Sequence, residues 1–96
     1  MQNKQLFNSF TLTNEQNEEY LLKYFLLHKP SSQIHGETVY GVSIEQESSD
    51  STCLEYEEIH GISYIRNEAL HLLQFLSNGK VTPVSLNYIV DDYFDN

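Results

Sequence analysis

Apolar and polar side chains alternate along residues 38–46, with Tyr40, Val42 and Ile44 on one side and Gly41, Ser43 and Glu45 on the other. Alternation of period two is the signature of a β-strand with one face on a core. The polar run 47–51 reads as a turn. Residues 52–59 return as a strand with Leu54 and Tyr56 on one face and Glu55 and Glu57 on the other. The two segments make an antiparallel hairpin with a five-residue connection. Residues 20–28 admit two readings. As a strand, Tyr20, Leu22, Tyr24 and Leu26 oppose Leu21, Lys23, Phe25 and Leu27; as a helix, Tyr20, Leu21, Tyr24, Phe25 and His28 share a face. Aromatic enrichment and the Lys29-Pro30 stop favour the strand. Residues 1–19 are polar apart from scattered Leu6, Phe7, Phe10 and Leu12, which predicts a loose N-terminal arm or short edge strand, then a loop.

The period changes after Ser63. Ile65, Ala69, Leu72, Leu73 and Leu76 recur at helical spacing, with Ser63 as the expected cap and Asn78-Gly79 as the stop. Thr82-Pro83 pairs a second cap with the residue suited to the first helical position, and Val84, Leu86, Ile89, Val90, Tyr93 and Phe94 follow. The expected fold is a single α+β domain over residues 1–96, an antiparallel sheet of three or four strands packed against two C-terminal helices.

Charge narrows the partners. Fourteen acidic residues against five basic ones give a formal charge of −9. That balance opposes DNA and anionic membranes. The helix pair has the spacing of a helix-turn-helix, but its second helix offers only Ser85 and Asn87 beside acids, so no nucleic acid is expected. Cys53 is the single cysteine, and its acidic surroundings disfavour a reactive thiolate. The start, Met1-Gln2-Asn3-Lys4, lacks the apolar run of a signal peptide, and the longest apolar cluster, residues 20–27, is too short to span a bilayer. The expected location is the cytoplasm, with no membrane contact.

Candidate chemistry is sparse. His28, His35, His60 and His71 lack the close spacing of a zinc site, and no Gly-rich phosphate loop or GxSxG motif occurs. No catalytic, cofactor or metal residue is therefore assigned. Two acidic groups stand out as an interaction surface. Glu45, with Glu55, Glu57 and Glu58, marks a carboxylate patch on the hairpin, and Asp91 and Asp92 end the last helix, where the dipole disfavours them.

The run Val39-Tyr40-Gly41-Val42-Ser43-Ile44-Glu45, the acidic hairpin, and Val81-Thr82-Pro83-Val84-Ser85-Leu86 with Tyr88-Ile89-Val90-Asp91-Asp92-Tyr93-Phe94 resemble a family of short bacterial proteins of unknown function. The resemblance covers residues 38–94 and implies a cytoplasmic bacterial protein with no assigned activity. The expected function is a non-enzymatic protein-interaction or regulatory module, its partner a basic protein or a second copy. The alternative is a small-molecule or metal-ion binding domain with a pocket lined by Tyr20, Tyr24, Tyr40 and Tyr56.

Overall fold

A computed structural model describes residues 3–50 and 52–95, with the backbone but not the side chains of Cys53 and Leu54. Four strands, β1 (Asn3–Thr13), β2 (Glu19–Pro30), β3 (Thr38–Ser48) and β4 (Cys53–Ser63), form an antiparallel meander in sequence order. Helix α1 (Arg66–Asn78), a 3₁₀ turn (Pro83–Ser85) and helix α2 (Leu86–Asp95) follow. The expected α+β architecture is thus observed, with four strands. Residues 20–28 are a strand, interior to the sheet, paired with β1 on one side and β3 on the other.

The N-terminal segment is more ordered than its composition predicts. β1 pairs with β2 along its length, with one irregularity between Leu6 and Asn8. That bulge lets Phe7 join Phe10 and Leu12 against the core despite breaking the alternation. The connection 14–18 is closed by Asn14, whose Oδ1 accepts from the amides of Gln16 and Glu18, while Asn17 takes φ 65°.

The core lies between the sheet and both helices. Leu22, Tyr24, Leu26, Val42 and Ile44 meet Ala69, Leu72, Leu73, Leu76, Leu86 and Val90. Gly41 stands opposite the irregular stretch of β4, where a Cβ would overlap the carbonyl oxygen of Ile59. Gly61 occupies that irregularity at φ 67°.

Three helix signals moved. Ser63 still pairs with Tyr40 in the sheet, so it cannot be the helix cap. Its hydroxyl instead accepts from the Ile65 amide at 2.9 Å and donates to Glu68 at 2.6 Å, bracing the strand-to-helix turn. Ile65 becomes the N-cap residue, extended at φ −107°, and is 57% exposed rather than part of the apolar stripe. Gly79 is right-handed; Lys80, at φ 50°, holds the left-handed position. The amides of Lys80 and Val81 bond back to the carbonyls of Ser77 and Leu76, the pattern of a Schellman stop with lysine in place of glycine. Thr82 makes no side-chain cap bond, because the second helix opens as a 3₁₀ turn on the Thr82 carbonyl.

Candidate functional site

Register assigns every sheet side chain to a face, because directly paired residues point the same way. The rows Leu22–Gln46–Glu55, Tyr24–Ile44–Glu57 and Leu26–Val42–Ile59 lie on the helix side. The rows Ser9–Lys23–Glu45–Tyr56 and Leu6–Phe25–Ser43–Glu58 lie on the opposite side. Both helices pack on the first side. The second side carries no helix.

This placement corrects the expected carboxylate patch. Glu45 and Glu58 share the uncovered face, whereas Glu55 and Glu57 project on the helix side of β4. Alternation along a single strand separates them, and none of these acids is paired directly with another across β3 and β4. Glu45 pairs with Lys4, and Glu47 with Lys23 at 3.0 Å. Glu58 Oε1 lies 3.2 Å from His60 Nε2. Asp91 and Asp92 are exposed on α2, on a different element from the hairpin acids. The expectation for the Cys53 thiol concerns a side chain outside the described residues, as does the facing of Leu54.

β4 is an edge of the sheet, as is β1. Its unbroken pairing with β3 runs from Glu55 to Ile59 and is bounded by irregularities on both sides. Bulges and charge at an edge discourage indiscriminate strand addition. Within that stretch Glu55 and Tyr56 are exposed and Glu57 and Glu58 half-buried.

The uncovered face is mixed in character. Leu6 is 53% and Tyr56 66% exposed, and Leu21 and Phe25 are half-buried. Lys4 Nζ stands 4.3 Å from the centre of the Phe25 ring. Ser43 is fully buried in the middle of this face, and its hydroxyl has no hydrogen-bond partner among the described residues.

The four tyrosines do not converge. Tyr20, Tyr24 and Tyr40 lie on the helix side, with Tyr24 fully buried, while Tyr56 faces the other way. A depression of about 530 Å³ sits at the end of the sheet near Asn14, Glu18, Tyr20, Gln46 and Thr82, and of the four tyrosines only Tyr20 lines it. Burial, with a smaller contribution from Tyr20, pushes the Tyr24 phenol up to about 12. Its hydroxyl donates to the Val81 carbonyl, a structural bond. Asp50 is held below the usual carboxylate range, first by the Ser48 hydroxyl and then by Thr52, within the β3–β4 turn. Among the described residues, no three His, Cys, Asp or Glu side chains are grouped to hold a metal ion. Nor, among those residues, is any helix long and apolar enough to cross a membrane.

The sequence offers the apolar side of residues 20–27 as a surface for association, but the extent of the uncovered face needs the register of all four strands. The signal was Leu21, Phe25 and Leu27, apolar residues on the side of β2 that turned out to have no helix partner. Neither curated proteins nor solved structures gave a match. A family model does match, over residues 3–96, so the first strand belongs to the family unit although the resemblance began at residue 38. The chain belongs to a family of unknown function, DUF6514.

Proposed function

We propose that this chain is a non-enzymatic protein-interaction module whose β4 edge takes a basic, extended segment of a partner as a fifth strand. The observation that carries the reading is the regular edge stretch Glu55–Ile59 with its carboxylates. An edge strand offers a row of backbone donors and acceptors, and strand addition draws affinity from them while side chains supply selectivity. Glu55 and Glu57 are two residues apart on one face, so a partner strand with lysine or arginine at alternate positions places a cation beside each. The remaining acidic surface, including Asp91 and Asp92, attracts the same partner at longer range. An acidic chain of this kind has no use for nucleic acid or anionic lipid. The reading places the protein in the cytoplasm, with a single cysteine as its support, and takes bacterial origin from the family resemblance.

The test is titration of a strand-forming peptide alternating lysine and valine, followed by amide chemical shifts. Shifts concentrated at residues 55–59 are expected. Glu55→Lys with Glu57→Lys should weaken binding about tenfold or more, and Asp91→Lys with Asp92→Lys by much less. Shifts spread over α2 with none on β4 would overturn the reading.

A further inference from the structure

The uncovered face differs from the rest of the molecule in charge. Lys4, Lys23 and Lys29 stand on it with Glu19, Glu45, Glu47 and Glu58, a balance of −1, so −8 of the formal −9 lies elsewhere. Three of the five cationic side chains are thus gathered on one side of one sheet. The charges are also divided across it. All three lysines are on β1 and β2, where Glu19 is the one carboxylate of the face, while Glu45, Glu47 and Glu58 are on β3 and β4. Leu6, Leu21 and Phe25 stand among the lysines on β1 and β2, and Tyr56 stands on the opposite edge strand, so apolar and aromatic side chains occupy both halves of the face.

We propose that a second copy of this chain covers this face, forming a face-to-face β-sandwich dimer about a twofold axis parallel to the strands. Such an axis lays β1 and β2 over the partner's β4 and β3. The half with the lysines then meets the half with Glu45, Glu47 and Glu58, so the in-chain pairs Lys4–Glu45 and Lys23–Glu47 lie beside the opposite ions of the second copy, the self-complementarity that a twofold interface requires. The remaining −8 is spread over the rest of the surface, so self-pairing elsewhere sets like charges against each other with few cations to offset them. The size also suffices. Four strands of 11 or 12 residues, about 4.8 Å apart with about 3.3 Å per residue, make a face of about 700 Å². Two such faces bury about 1,400 Å², within the roughly 1,200–2,000 Å² of stable interfaces. The two sheets would stack in the aligned manner, about 10 Å apart. This dimer leaves the β4 edge accessible and does not depend on the edge reading above.

Sedimentation equilibrium of the purified full chain tests it, with crosslinking to fix the axis. A concentration-dependent dimer is expected, and Leu6→Glu with Tyr56→Glu should weaken it about a hundredfold with the far-ultraviolet dichroism unchanged. In a Cys53→Ser background, a short bismaleimide should join Leu6→Cys chains to Tyr56→Cys chains in a mixture far more than it joins either to itself. A monomer at all concentrations overturns the dimer. Dominant Leu6→Cys self-crosslinking overturns the axis. A monomer that still binds the lysine–valine peptide at β4 would sink this inference alone and leave the edge reading standing.

Discussion

The phenolic hydroxyl of Tyr24 donates to the carbonyl oxygen of Val81 across 2.8 Å, tying the middle of the sheet to the turn between the two helices. A second link runs beside it. Lys80 Nζ stands 4.4 Å from the centre of the Phe10 ring, and that ring meets Tyr24 edge-on with centroids 6.0 Å apart. The non-glycine left-handed residue of the helix stop is therefore held by β1, the strand that composition alone had marked as loose. Tyr24→Phe removes the bond and leaves the Val81 carbonyl without its donor, a cost of about 1–2 kcal/mol. Chemical denaturation of the two proteins at neutral pH measures it.

The same residue sets a pH dependence. Burial pushes the Tyr24 phenol up to about 12 in the folded protein, against 10.0 for an ordinary tyrosine. Below pH 10 it is protonated in both states and contributes its full stability. Between pH 10 and 12 the unfolded chain ionises while the folded one does not, so stability falls by about 1.4 kcal/mol per unit of that shift. Tyr24→Phe should flatten this part of the stability-versus-pH curve, read by urea melts at successive pH values.

Gly41 is expected to tolerate no side chain. A Cβ there meets the Ile59 carbonyl and the His60 Cα, both backbone atoms that cannot swing aside. Gly41→Ala should cost about 1–3 kcal/mol by overpacking. Gly61→Ala should cost about 1–2 kcal/mol for a different reason, the left-handed φ of 67°. Thermal melts of both variants check the pair.

The two helices contribute unequally at positions that look alike in sequence. Leu73 is fully buried, whereas Ile89 only packs against the rim of the core. Leu73→Ala should cost about 2–4 kcal/mol, and Ile89→Ala clearly less. Equal losses in denaturant melts would place Ile89 deeper than it is.

Ser43 offers a substitution that should improve the fold. Its hydroxyl is buried with no partner among the described residues, so it loses hydration without a hydrogen bond in return. Ser43→Ala is expected to raise the midpoint of unfolding, by up to about 1 kcal/mol in stability. A lower midpoint would mean that the hydroxyl has a partner after all.

Much of this architecture was legible from periodicity. Tyr40, Val42 and Ile44 alternate because their strand has a core on one side, and Ala69, Leu72, Leu73 and Leu76 repeat because their helix covers it. What failed was local chemistry overruled by neighbours. Ser63 has a capping side chain, but sheet pairing holds its backbone; Gly79 has the freedom for a left-handed stop, but the stop falls one residue later. β1 looked weak because the bulge at Phe7 disrupts its alternation. The carboxylates were visible as a group, yet their division between Glu55 and Glu57 on one side and Glu45 and Glu58 on the other depends on register, which side-chain types alone do not encode.

The account holds that the protein acts through its sheet, at the β4 edge and the uncovered face, with the helices serving the core. Tyr56 and Tyr88 allow a direct comparison, since both are exposed aromatic side chains, at 66% and 75%, on β4 and α2 respectively. The decisive measurement is photo-crosslinking in the native cell with benzoylphenylalanine at position 56 or at position 88. A discrete adduct from position 56 is the predicted result: a crosslinked pair of copies from the uncovered face, or a partner adduct from the edge that Glu55→Lys with Glu57→Lys weakens. A discrete adduct from position 88 with none from position 56 would contradict it.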